Sequence, residues 1–173
     1  MEVFLDFDFD ETSAEDFHFV DSGLSYDGAA TTSITGLEHL EGQTVQILAD
    51  GSTHADKIVS SGAITLDRSS KKVKVGLGYN SILQTMRIEG GSAEGTGQGK
   101  IKRISKVVLR LFNTVGAKCG PSLTNLETVS FRTTSSDMDN PVSTLLAGDK
   151  TVEFTDDYNS DGFIFVKQDQ PLP

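Results

Sequence analysis

Residues 44–77, "TVQILADGSTHADKIVSSGAITLDRSSKKVKVGL", decide the fold. In "TVQILA" (44–49), Val45 and Ile47 fall on one face and the run stops at Asp50-Gly51. "KIVSSGAITL" (57–66) carries Ile58, a Ser-Gly turn, then Ile64 and Leu66. "KKVKVGL" (71–77) alternates Val73, Val75 and Leu77 with lysines. A period of two is that of extended backbone, whose successive side chains point to opposite faces. Gly accepts a positive φ without a Cβ clash, so Gly51 and Gly62 set turns between strands. Val45, Ile47, Ile64, Val73 and Val75 are the expected core, each side chain contributing ~1.5–3 kcal/mol on burial.

The same signal extends outward. "VFLDFDFD" (3–10) alternates Phe7 and Phe9 with Asp6, Asp8 and Asp10, and "TVEFTDDYNSDGFIFVK" (151–167) places an Asp161-Gly162 turn between two apolar runs. Asp27-Gly28 reads as one more turn dipeptide. "KIKRISKVVLRLF" (100–112) also fits a helical face through Ile101, Ile104, Val108 and Leu111, but its β-branched residues and all-β surroundings favour a strand. Short strands punctuated at this frequency predict an all-β antiparallel protein, with a small β-barrel unit plus a β-sandwich-like unit. The seam is "GGSAEGTGQGK" (90–100), with five glycines. The expected organisation is an N-terminal strand and connecting arm (1–36), the barrel-like unit (37–89), a Gly-rich linker (90–100), and the sandwich-like unit (101–173), which the strand region 1–20 would complete.

The chain has 173 residues, 36% hydrophobic, with 17 Gly and no Trp, which suits a folded, loop-rich body. No apolar run nears the ~20 residues that span a bilayer, so no membrane partner is expected. A single cysteine, Cys119, excludes an internal disulfide framework and a cysteine-rich zinc site. Met1 leads straight into a strand-like run, as at the start of a gene or of a trimmed fragment. The net charge of −10 is unevenly spread: residues 1–56 carry 13 acidic and no basic side chains, and residues 57–118 carry 12 basic and 3 acidic ones. Such asymmetry fits either acidic and basic segments pairing with each other or with neighbouring subunits, or a surface for nucleic acid.

Each chemical candidate has a plainer alternative. Asp157, Asn159 and Asp161, followed by Gly162, are spaced as the start of an EF-hand calcium loop. That loop requires a bidentate Glu at position 12, where this chain has Gln168, and helical flanks, where it has strand-like runs. A hairpin turn explains the same residues, so no metal is expected there. "LDFDFDE" (5–11) reads as a charged edge strand, because charge on an edge blocks sheet-to-sheet association. "EGTGQGK" (94–100) lacks the Gly at position 94 and the Ser or Thr at 101 of a phosphate loop, and the Gly at 100 of a dinucleotide loop. His18, His39 and His54 are too dispersed for zinc. His54, Asp50, Ser52 and Asp56 are expected within one turn, whereas a catalytic triad assembles from separate elements. No histidine lies near Cys119 in sequence to activate it. No catalytic residue and no cofactor is expected. The best binding candidate is the basic run Lys100, Lys102, Arg103, Lys106 and Arg110. On a strand, all but Arg103 share a face, able to meet another subunit or a phosphate backbone. Aromatics are not interleaved with these bases, which argues against stacking on single strands.

Several phrases resemble the C-terminal region of large virion proteins of tailed bacteriophages or prophages, of the tail nozzle or packaged-DNA stabilisation type. They are "HFVDSGLSYDG" (18–28), "GLEHLEGQTVQILADGSTHAD" (36–56), "VGLGYNSILQTMRIE" (75–89), "GQGKIKRISKVVLRLFNTVGAKCGP" (97–121) and "GFIFVKQDQPLP" (162–173). The resemblance implies a non-enzymatic virion structural protein, a module of a ring-shaped tail nozzle or hub. Its partners would be copies of itself and neighbouring tail proteins, with non-specific contact with DNA in the tail channel. Its location would be the virion tail, after synthesis in the host cytoplasm. Family members are generally several times longer and tend to continue past "QDQPLP" with another apolar strand. A binding module for a host-surface glycan or protein is the alternative, which an exposed aromatic platform would favour. A metal-dependent hydrolase using the aspartate runs is the third reading.

Overall fold

A computed structural model describes residues 13–89, 95–131, 145–155 and 157–173. The expected strand at 3–10 and its carboxylates lie outside the described residues. The chain is nearly all β, in antiparallel sheets, and among the described residues the one short 3₁₀ turn is Glu38–Leu40.

The first unit is a four-stranded sheet built from β1 (Asp21–Thr35), β2 (Thr44–Ala49), β3 (Ser52–Ile58) and β4 (Ala63–Leu77), in the order β1-β4-β2-β3. Asp50 and Gly51 both have positive φ, 48° and 73°, and join β2 to β3 as a two-residue hairpin. This turn is favoured because its twist matches that of the strands it connects. Ser61 (φ 55°) and Gly62 (φ 68°) make a second such turn, closed by a bridge between Ser60 and Ala63. Val45, Ile47, Ala49, Val73, Val75, Ile64 and Leu66 are buried on one face, beneath Leu37, Leu40 and Val59 from the connecting segments.

Two expectations are corrected here. The barrel is not closed: β1 and β3 end the sheet on opposite sides. Closure requires strand number, tilt and stagger to agree, and here connecting segments cover the core instead of a closing strand. The Asp27-Gly28 dipeptide makes no turn; it lies within β1, where the register with β4 shifts between Asp27 and Thr31. Residues 21–35, read as an arm, are thus a full partner of β4.

The second unit contains β5 (Ser81–Gln84), β10 (Phe165–Gln168), β7 (Lys118–Ser122) and β8 (Asn125–Thr128), hydrogen-bonded in that order. A two-stranded ribbon of β6 (Lys106–Thr114) and β9 (Leu146–Glu153) shares its core. Val152 and Phe154 meet Ala117, Cys119, Val129 and Ile164 there, with Val107 and Leu109 partly buried against them. Lys106, Val108, Arg110 and Phe112 are exposed while Val107, Leu109 and Leu111 are half-buried, a period of two that resolves the helix-or-strand ambiguity in favour of a strand. β5 falls in the segment assigned by sequence to the first unit but pairs with β10 in the second.

β2 joins the two units because both of its faces are covered. Its neighbours Val45 and Ile47 face the first core, while Leu48 packs on Val115 and Leu172. The Gln46 side-chain amide donates to the Asp169 carbonyl at 3.1 Å. The C-terminal residues are tied down by Gln168, whose amide donates to the carbonyls of Val115 (2.9 Å) and Leu172 (3.1 Å). Asp169 receives the ammonium groups of Lys118 at 2.7 Å and Lys167 at 3.1 Å. Residues 13–20 form no strand; they lie on the first unit, where Lys72 sits between Glu15 (3.0 Å) and Asp16 (2.8 Å).

Candidate functional site

The 157–162 loop and the basic run, distant in sequence, meet in space. Lys102 and Asn159 exchange two backbone hydrogen bonds, 2.7 and 2.9 Å long. The Asn159 side-chain oxygen accepts the N–H groups of Asp161 (3.1 Å) and Gly162 (2.8 Å), and Gly162 takes φ 63°. This is the Asx-turn geometry in which a short amide side chain closes a bend. Asp161 pairs with Arg87 at 2.9 Å, and the Arg87 guanidinium lies 5.6 Å from the centre of the Phe163 ring. Asn159 and Asp161 thus use their oxygens on backbone N–H groups and on a guanidinium, and Asp157 is exposed beside them. Among the described residues, no three His, Cys, Asp or Glu side chains converge in an arrangement able to hold an ion.

The basic run is divided rather than continuous. β6 begins only at Lys106, so Lys106 and Arg110 share its outer face, while Lys100, Lys102 and Arg103 lie before it. This corrects the single-strand placement. On the ribbon, both cations of the run face an acid across the ladder. Lys106 is opposite Glu153, and Arg110 is opposite Asp149, which accepts two hydrogen bonds from its guanidinium at 2.7 and 2.9 Å. That pairing holds the Asp149 carboxyl below its ordinary range and pushes Arg110 up. Arg103 lies 5.9 Å from the centre of the Tyr158 ring. Tyr158, Phe163 and Arg87 are the residues that sequence reasoning missed around this run. Only the chain reversal at 157–162 brings the aromatics to the bases, and no local pattern announces it.

The remaining candidates serve structure. Asp50 accepts the N–H groups of Lys71 (3.0 Å) and Lys72 (2.9 Å). Burial is the largest single influence and would raise its carboxyl. The two backbone N–H donors, the Ser70 hydroxyl and the charge of Arg68 together outweigh it, and the net direction is down. Glu41 takes the N–H of Ser61 on one oxygen (2.9 Å) and of Gly62 on the other (2.7 Å), and these bonds hold it below its ordinary range. Ser52, His54 and Asp56 are not in the Asp50-Gly51 turn, as the sequence suggested, but on β3. His54 accepts the Asp67 N–H on Nε2 at 2.9 Å, and its Nδ1–H donates to the Ala55 carbonyl at 2.8 Å. That arrangement pins its ring. Burial pushes the Cys119 thiol up, away from the thiolate form that nucleophilic chemistry needs. A cleft of about 430 Å³ is lined by Glu15, Asp27, Asp50, Ser69, Lys71 and Lys72, where both charge signs meet. No protein-family model matches the chain, and no curated protein matches it.

Proposed function

We propose that this chain is a non-enzymatic structural module of a bacteriophage tail, in its nozzle or hub, that works by packing against copies of itself and neighbouring tail proteins. The observation that carries the reading is a contrast in the use of side chains. Polar groups that look chemically active in sequence are bonded into turns and strand pairs: Asn159, Asp161, Asp50 and His54. Apolar side chains on β5 and on the outer face of β6, by contrast, stand uncovered among the described residues. A binding or catalytic module concentrates convergent polar groups in a hollow; an assembly module presents apolar surface to a partner. The phage assignment rests on the resemblance of the phrases between residues 18 and 173. In this reading the protein resides in the virion tail, and Lys100, Lys102, Arg103, Lys106 and Arg110 border a subunit contact or face channel DNA.

The test is the mass of the purified chain by light scattering and sedimentation across concentration and salt. Concentration-dependent assembly is expected; a monomer under every condition would overturn the reading. Titration of the same preparation with duplex DNA at low and high salt checks the channel contact, which requires binding that salt weakens.

A further inference from the structure

We propose that residues 13–20 form a pH-released strap across the outer face of β1 and β4, held at neutral pH and let go in mild acid through His18. The inference goes beyond the structural reading above and does not depend on it.

Successive side chains of a strand point to opposite faces. Val73 and Val75 of β4 fill the first core, so Lys72, Lys74 and Gly76 point away from it. The strap meets these three in order. Lys72 takes the carboxylates of Glu15 at 3.0 Å and Asp16 at 2.8 Å. Lys74 donates to the Ser25 hydroxyl on β1 at 3.2 Å, and the same oxygen lies 3.2 Å from His18 Nδ1. Gly76 lies against Val20, whose side chain an added Cβ would meet at 2.8 Å. The His18 ring rests on Gly23 of β1, where an added Cβ would collide with Nε2. Ala14 and Val20, near the two ends of the strap, are buried. Two apolar anchors thus dock the strap, together with one lysine that meets acids and one that meets a histidine through a shared hydroxyl.

The second lysine makes the device. An ammonium group only donates, so Ser25 Oγ accepts from Lys74 and offers its own hydrogen to His18 Nδ1, which accepts it only while that nitrogen is unprotonated. Protonation turns Nδ1 into a donor and places a second cation against an oxygen already shared with Lys74. Burial and the Lys74 charge both hold His18 below its ordinary value of 6.5. A released strap takes up the proton at the ordinary value, whereas the docked one resists it. As the pH falls through 6.5 the balance moves towards release, and it stops moving once the pH is below the docked value. Among the described residues, Lys74 is the charged group that acts on the ring. β1 presents Gly23 and Ser25, its Asp21 is turned to the Ser22 N–H at 2.8 Å, and His39 is turned to the Ser22 carbonyl at 2.9 Å. On the strap itself, Glu15 and Asp16 are held by Lys72, which stays charged because its hydrogen bonds to Asp16 and Glu15 push it up. Release would remove the Glu15 wall of the cleft that Asp27, Asp50 and Lys71 also line, and would uncover Lys72 and Lys74.

The test is nuclear magnetic resonance on the full chain between about pH 7.5 and 5. It reads the contact of the His18 ring with Gly23 and the amide shifts of residues 13–20, with a peptide of the same eight residues as the released reference. In the unmodified chain the released-to-docked ratio should rise about threefold or more, by no more than about tenfold per pH unit, the limit for one proton. His18→Gln, which cannot titrate, should leave the ratio constant. Lys74→Met should shrink the response and bring the His18 titration nearer its ordinary value. A constant ratio in the unmodified chain overturns the proposal, and so does a strap already released near neutral pH. An equal response in His18→Gln assigns the switch to Glu15 or Asp16 and overturns it too. If His18→Gln does not dock, Lys74→Met decides. An undiminished response there, or a His18 that titrates at or above 6.5 in the unmodified chain, sinks the histidine as the trigger.

Discussion

The two units are built from the same kind of strand but are held together differently. In the first, hairpin turns of two residues pair β2 with β3, and a core of residues from the sheet and its connecting segments is almost fully enclosed. In the second, only β7 and β8 form a local hairpin, β5 and β10 as well as β6 and β9 come from segments far apart in the chain, and much of the packing falls on half-buried residues such as Val107, Leu109 and Val166. Local turns therefore supply more of the pairing in the first unit, whereas most of the second unit's pairings close long loops. The unit with the shallower core is also the one that carries the uncovered β5 strip and the exposed ribbon face. The contrast separates an enclosed scaffold from a unit with more exposed apolar surface.

The largest effect should come from the scaffold. Ile47 is fully buried, and Ile47→Ala is expected to cost about 2–5 kcal/mol in urea unfolding. Leu109→Ala, at a half-buried site of the second unit, should cost clearly less. Equal losses would erase the distinction between the units. Next comes a site specific to the second unit. A Cβ on Gly120 would collide with the Asn125 carbonyl oxygen, so Gly120→Ala must push β7 and β8 apart. It is expected to destabilise by about 1–3 kcal/mol, and amide exchange should localise the loss to β7 and β8. A uniform loss across both units would show that they unfold as one.

The smallest effect is electrostatic and belongs to the first unit. Glu41 is held below its ordinary range by the N–H groups of Gly62 and Ser61. A carboxylate with a depressed folded value adds stability at neutral pH, and that stability disappears as the pH falls through the folded value. Glu41→Gln should therefore be less stable than the unmodified chain near pH 7. The two should converge once the pH has fallen below the folded value of Glu41, as read by thermal melting. A difference that persists unchanged at acid pH would mean that Glu41 acts by packing and not by charge.

Much of the first unit was legible because its signals are short-range. Alternation at Val45, Ile47, Val73 and Val75 reports a half-buried strand, and Asp-Gly or Ser-Gly reports a backbone that must turn. The same local vocabulary misled at Asp27-Gly28, where β4 continues to pair on both sides and absorbs the irregularity as a register shift. It misled again at His54, because a two-residue turn leaves more chain for the strand than a long loop does. At the candidate site, the turn at Asn159 and Gly162 was readable from residue type. The approach of Arg87 to Asp161 and Phe163, and of Arg103 to Tyr158, was not, because each pair is separated by more than 50 residues and no local pattern records it.

By itself the sequence determined the antiparallel β character, the bends at Gly51, Gly62 and Gly162, and the opposed charge of neighbouring segments. These follow from side-chain alternation, from the φ that each turn residue tolerates, and from composition. Only the tertiary structure decided that the first sheet stays open, that β5 joins the other sheet, and that the bases meet aromatics at the 157–162 loop. Such choices depend on which distant strands complete each other's hydrogen bonds and bury each other's apolar faces, a competition settled across the whole chain rather than within any one stretch.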